Sequence, residues 1–122
     1  VIPHNADLVT TFDAAEMLAA CKAVIPGTDE EHRGVLFSLQ TPENGGDRWN
    51  IKSPSAFTFC PTTIGEKWRD DSYLITFDPR FFRDMMEAVR GTVKMRITDH
   101  NSPAVLVAGS LTYVVMPLSR DR

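Results

Sequence analysis

The stretch Leu111-Thr112-Tyr113-Val114-Val115-Met116-Pro117-Leu118, close to the end of the 122-residue chain, decides the fold. Its first six residues are strand-favouring or apolar, and Pro117, which has no N–H to give to a ladder, ends the run. Ala104 to Ala108 is another apolar run, and only Gly109-Ser110 separates the two. Gly-Ser makes a two-residue hairpin turn in which glycine takes the positive φ of a type II′ turn. The turn sets a register: Ala108 faces Leu111, Leu106 faces Tyr113 and Ala104 faces Val115 on one side. On the other side Val107 pairs with Thr112, Val105 with Val114 and Pro103 with Met116. Both faces stay apolar towards Met116. Either the strand is central and covered on both sides, or Pro103, Val105, Val114, Met116, Pro117 and Leu118 form an outer groove for a short peptide, a use that suits methionine.

Working outward, the chain reads as two similar halves. Leu8 to Phe12 is a short strand that hands over to a helix from Asp13 to Ile25, with Asp13 as cap and Glu16 at the capping-box spacing. Ala14, Met17, Leu18, Cys21 and Ile25 recur at helical intervals as its buried stripe, and Pro26-Gly27 stops it. Strands follow at Gly34 to Gln40, at Arg48 to Lys52 after an Asn44-Gly45-Gly46 turn, and at Ala56 to Cys60. Cys60 to Asp71, which carries Trp68, is an irregular polar connection. The second half begins with a strand from Tyr73 to Phe77. Asp78 then caps a helix from Pro79 to Arg90, with proline at its favoured first position and Phe82, Met85, Met86 and Val89 facing in. Gly91 ends that helix, and Val93 to Thr98 alternates with Val93, Met95 and Ile97 inward. Thr76-Phe77-Asp78 repeats Thr11-Phe12-Asp13 at the same strand-to-helix junction. The expected fold is an α+β domain of internally duplicated β-α-β-β units, with two helices packed on antiparallel sheet.

Composition narrows the function classes. The chain is 43% hydrophobic and 24% charged, as expected of one globular domain spanning 1–122. A net charge of −3 at pH 7 is not the footprint of an autonomous nucleic-acid binder. Cys21 and Cys60 read as core thiols in a reducing compartment, and no apolar run reaches transmembrane length, so a cytoplasmic location and no membrane are expected. His4, His32 and His100 are scattered, no phosphate-cradling glycine loop is present, and no metal-ligand spacing occurs. Glu30-Glu31 and Asp70-Asp71 read as solvated loop charges. Asp99, His100 and Ser102 would make a small hydrolase only if their side chains converged, and neighbours on an extended strand point apart. No catalytic residue, no metal and no cofactor is expected.

Tyr113-Val114-Val115-Met116-Pro117-Leu118 resembles the end of the bacterial replicative sliding clamp, the beta subunit of DNA polymerase III, which typically finishes Tyr-Val-Val-Met-Pro-Met-Arg-Leu. Thr98-Asp99-His100-Asn101-Ser102-Pro103-Ala104 is similar to the Thr-Asp-(two residues)-Ser-Pro-Ala segment before it. Arg33-Gly34-Val35 looks like the Arg-Gly-Val after the first helix, and Val1-Ile2-Pro3 like the opening residues. The resemblance covers essentially the whole chain as the third, C-terminal clamp domain, and is weakest from Thr41 to Asp71. It implies a piece of a longer three-domain chain, in keeping with a start at Val1 rather than methionine.

That resemblance carries residue roles. The pocket that receives short peptides from polymerases and repair proteins would take Val1, Phe81, Asn101, Pro103, Val114, Met116, Pro117 and Leu118 from this domain. Phe81 lies one step off its helix's buried stripe, and its alternative is simple core packing. Leu118 replaces the usual methionine, and Ser119-Arg120-Asp121-Arg122 replaces the usual Arg-Leu end. Lys22, Arg80 and Arg83 would face duplex DNA, or else Arg80–Asp84 and Arg83–Glu87 pair along a solvated helix. Ring closure with a second subunit would use Val24, Ile25, Pro26 and Gly27 together with Ala56, Phe57, Thr58 and Phe59, where the family often carries acidic residues instead.

The implied function is a non-enzymatic processivity factor. It would encircle duplex DNA as a homodimeric ring and bind polymerase and other replication proteins through short linear motifs. A stand-alone peptide-binding adaptor built from one such domain is the alternative.

Overall fold

A computed structural model describes residues 8–28, 34–41, 46–64, 74–98 and 102–118. The expected Asn44-Gly45 turn, Tyr73 and Trp68 lie outside them. Among the described residues the first half runs β1 (Leu8–Asp13), α1 (Ala14–Val24), a 3₁₀ turn (Ile25–Gly27), β2 (Val35–Gln40), β3 (Arg48–Lys52) and β4 (Phe57–Pro61). Next come β5 (Thr63–Ile64), β6 (Leu74–Phe77), α2 (Pro79–Ala88), β7 (Thr92–Ile97), β8 (Ala104–Ala108) and β9 (Leu111–Val115).

All strand pairs are antiparallel and form two sheets, β5-β1-β7-β8-β9 and β4-β3-β2-β6. The duplication is therefore swapped. β1 opens the first half yet pairs with β7 of the second, and β6 opens the second half yet pairs with β2 of the first. Three strands follow each helix as the sequence pattern placed them, β2 to β4 after α1 and β7 to β9 after α2. The missed strand, β5, lies within the segment expected to be irregular; it is two residues long and exists through pairing with β1 at Thr10–Ile64 and Thr11–Thr63.

The two Thr-Phe-Asp junctions do the same physical work. Phe12 and Phe77 turn into the core, and the aspartates cap the helices that follow. Asp13 accepts the backbone N–H of Glu16 at 3.2 Å, and Asp78 accepts that of Arg80 at 3.0 Å, satisfying donors that a helix start leaves unpaired. Gly91 and Gly109 take φ of +82° and +62°, so both turns rest on glycine. Gly91 also uses its carbonyl to accept the N–H of Ala14 at 2.8 Å, joining the end of α2 to the start of α1.

The core is aromatic at its centre. Phe37 contacts Trp49, Phe77 and Phe82 at ring separations of 5.9, 5.3 and 5.2 Å, and all four side chains are fully buried. Trp49 on β3 donates its indole N–H to the hydroxyl of buried Thr10 on β1 at 3.3 Å, a polar tie between the two sheets. The α1 stripe is corrected: Val24 and Ala20 are buried, whereas Leu18 and Ile25 are half-buried. The helix ends at Val24, and the tighter 3₁₀ turn rotates Ile25 away from the stripe.

Candidate functional site

The hairpin β8–β9 has the register read from the sequence, from Ala108–Leu111 at the turn to Ala104–Val115 at the open end. Among the described residues β9 is also the last strand of its sheet, with no strand partner on its outer edge. Along that edge lies a cavity of about 500 Å³, lined by Phe81, Asp84 and Met85 of α2, Tyr113, Val114 and Val115 of β9, and Met116 and Leu118 beyond it.

Each wall has a local cause. Phe81 is 58% exposed because it sits one position before the buried Phe82, off the α2 stripe. Asp84 and Met85 follow three and four positions later, so they share its side of the helix. Val114 and Met116 alternate with buried Val115 and are 63% and 56% exposed. After β9 the chain crosses to the other sheet, where the Leu118 N–H donates to the Thr76 carbonyl at 2.8 Å. Gly34 makes room for that crossing. A Cβ on Gly34 would stand 2.6 Å from Thr76 Cγ2 and 3.1 Å from Leu118 Cδ1, which gives the glycine of Arg33-Gly34-Val35 a structural reason.

Four of the eight expected peptide-binding residues thus meet: Phe81, Val114, Met116 and Leu118. Val1 and Asn101 lie outside the described residues. Pro103 is exposed and Pro117 half-buried, and neither lines the cavity, because it follows the edge of β9 rather than the outer face of the hairpin. The sequence reading missed Asp84, Met85, Tyr113 and Val115. Met85 was read as core and Val115 as facing away from the outer groove, and each is buried and closes the cavity floor.

No protein-family model matches the chain, and no curated protein matches it. Solved structures do. A DNA polymerase sliding clamp from Pseudomonas aeruginosa aligns with a TM-score of 0.72 at 20% identity, over 98% of this chain and 33% of that one. The DNA polymerase III beta subunit of Thermotoga maritima aligns at 0.72 and 21%, over 98% and 32%. A sliding clamp from Bartonella birtlesii aligns at 0.72 and 18%, over 97% and 34%. The chain has the fold of one sliding-clamp domain. It spans about a third of the length of the clamp structures it matches.

On this clamp-domain fold the other expected positions divide. Lys22 reaches Glu87 at 3.7 Å, Arg83 donates to Asp84 at 3.1 Å, and Arg80 lies 3.5 Å from Asp78 while donating to Thr28 Oγ1 at 2.9 Å. The i,i+4 pairs Arg80–Asp84 and Arg83–Glu87 do not form. Asp78, held at the helix start as a cap, takes Arg80 instead, and Glu87 faces α1. At the expected ring interface Val24 is fully buried, so its side chain belongs to the core. Ile25 is half-buried and Pro26 exposed beside it, and Gly27 completes the turn.

The second interface segment is an edge. Among the described residues β4 ends the four-stranded sheet, with Phe57 65% and Phe59 42% exposed on one face. Their rings are 6.0 Å apart, and the Arg48 guanidinium stands 4.3 Å over Phe59. Thr58 is half-buried between them, while Ala56 precedes the strand because its carbonyl closes a turn by accepting the Ser53 N–H at 2.8 Å.

Both free cysteines are buried, and burial pushes the Cys21 and Cys60 thiols up to about 12, so each keeps its proton at neutral pH. Among the described residues no group of three or more His, Cys, Asp and Glu side chains is placed to hold a metal, and no helix is long and apolar enough to cross a membrane. The histidines and Asp99 lie outside the described residues.

Proposed function

We propose that this chain is the third domain of a ring-forming sliding clamp, a non-catalytic processivity factor whose groove receives short peptides from replication proteins. The observation that carries the reading is the apolar cavity along β9, where Phe81, Val114, Met116 and Leu118 come together on a clamp-domain fold. Its volume of about 500 Å³ is within the usual range for a site that takes a few large side chains. Position as the third domain is supported by the order of the motifs from Val1-Ile2-Pro3 to Met116-Pro117. In that reading the homodimeric ring closes through the 3₁₀ turn and β4, whose exposed Phe57 and Phe59 favour a covering partner. Lys22, Arg80 and Arg83 face DNA held by topology rather than by tight phosphate contact.

The test is an NMR titration of the chain with a peptide carrying a glutamine followed by a Leu-Phe pair. A neighbouring domain would supply the rest of the groove, so affinity is expected at roughly 0.1–1 mM, or about 4–5.5 kcal/mol. Shifts clustered on Phe81, Met116 and Leu118 support the reading; shifts elsewhere sink it. A stand-alone peptide adaptor is the second reading, favoured by the acidic partner within 4 Å of each of Lys22, Arg80 and Arg83. Whether two further clamp domains are encoded with this one separates the two readings.

A further inference from the structure

Among the described residues the cavity along β9 is apolar with one exception. Six aliphatic, sulfur-bearing or phenyl side chains and the Tyr113 ring line it, and the remaining lining residue is the carboxylate of Asp84. That carboxylate is exposed, one turn along α2 from Phe81, and Arg83 Nε engages one of its two oxygens at 3.1 Å. A surface pair between adjacent residues holds its partners weakly and leaves the carboxylate open to exchange. The other charged residues of this helix, Arg80 and Glu87, are turned to Asp78 and Thr28 and to Lys22. A single negative charge at the mouth of a low-dielectric cavity acts more strongly than the same charge on an open surface.

Resting on the peptide-groove reading above, we infer that the groove selects peptides with a lysine or arginine beside their apolar anchor, and that Asp84 is the group that reads it. The anchor fills the space between Phe81, Met116 and Leu118, and the basic side chain lies back along α2 onto the Asp84 carboxylate. An acidic residue at the same place meets Asp84 as a like charge. Asp84 thus sets which peptides bind, and the apolar walls set how tightly.

The experiment uses capped hexapeptides that share a Leu-Phe pair and differ in one residue, lysine, alanine or glutamate, placed before the pair in one series and after it in another. Each is titrated into the 122-residue chain, wild type and with Asp84→Asn or Asp84→Lys. In at least one series lysine should bind about two- to fivefold more tightly than alanine, with glutamate weaker than alanine. The spread should vanish in Asp84→Asn, invert in Asp84→Lys, and shrink at high salt. Equal affinities for the three in both series would overturn the inference while leaving the groove standing. A spread that survives Asp84→Asn would assign the selection elsewhere and also overturn it. If no peptide binds in either series, the groove reading falls and takes this inference with it.

Discussion

Met116→Ala and Met95→Ala are the same chemical change at two positions that the structure assigns opposite jobs. Met95 is fully buried on β7, whereas Met116 is 56% exposed at the mouth of the groove. Emptying a buried methionine site costs roughly 2–5 kcal/mol, so Met95→Ala should lower the melting temperature by roughly 10 °C or more. It should leave peptide affinity unchanged while the chain stays folded. Fully burying a methionine side chain is worth about 1.5–3 kcal/mol. A peptide that covers the 56% still exposed at Met116 would therefore gain about 0.8–1.7 kcal/mol from it. Losing that contact weakens binding by about four- to sixteenfold. The stability cost should stay below about 1 kcal/mol, as for most surface substitutions. Thermal melts and NMR titrations of both variants with a Gln/Leu-Phe peptide make the comparison. A Met116→Ala chain that melts as early as Met95→Ala, or that binds as well as wild type, would refute the assignment.

Further outcomes follow from single contacts. Trp49→Phe removes the donor to the buried Thr10 hydroxyl and should cost about 1–3 kcal/mol in denaturant unfolding, much of it recovered by adding Thr10→Val, which removes the stranded group too. Gly34→Ala places a methyl against Thr76 and Leu118; the Leu118 methyl resonances should shift, peptide affinity should fall, and stability should drop by about 1–3 kcal/mol from overpacking. The thiols give a pH dependence. Folding raises Cys21 and Cys60 from 9.0 to about 12, so the folded chain holds protons that the unfolded chain releases above pH 9. Their contribution is whole below pH 9 and is lost as pH rises towards 12. Chemical unfolding across that window checks the sign, and Ellman's reagent at pH 8 should leave the native thiols unreacted but label the unfolded ones.

How far the sequence carries depends on how local each signal is. The β8–β9 register was legible from Ala108–Leu111 to Ala104–Val115, where the ladder ends short of the expected Pro103–Met116 pair, because a two-residue turn and strict alternation determine it together, and Gly109 supplies the positive φ. The two capped helices were legible for the same reason, since Asp13 and Asp78 act within one turn. The exchange of β1 and β6 between sheets was not, because alternation says which face a strand buries and nothing about which strand lies beside it. β5 escaped for a related reason, as two residues carry no pattern. At the groove, Phe81 stood out as an aromatic off its stripe and Met116 as an apolar residue on the outer face. Met85 and Val115 gave no such signal, because a residue that closes a cavity floor has the same periodicity as one packed in the core. The ion pairs of Arg80 and Arg83 also departed from helical spacing, since a capping carboxylate and a neighbouring one were nearer than the residue four positions on.

The central claim is that the edge of β9 is where a peptide binds, and a spin-labelled ligand tests it most directly. A nitroxide attached beside the Leu-Phe pair of the peptide broadens nuclei close to it, whatever the affinity of the complex. The account predicts selective loss of the Met116, Val114 and Leu118 methyl signals and of the Phe81 ring, with Ile51 and the β4 phenyl rings unaffected. Broadening centred on Phe57 and Phe59, or spread evenly over the surface, would contradict it.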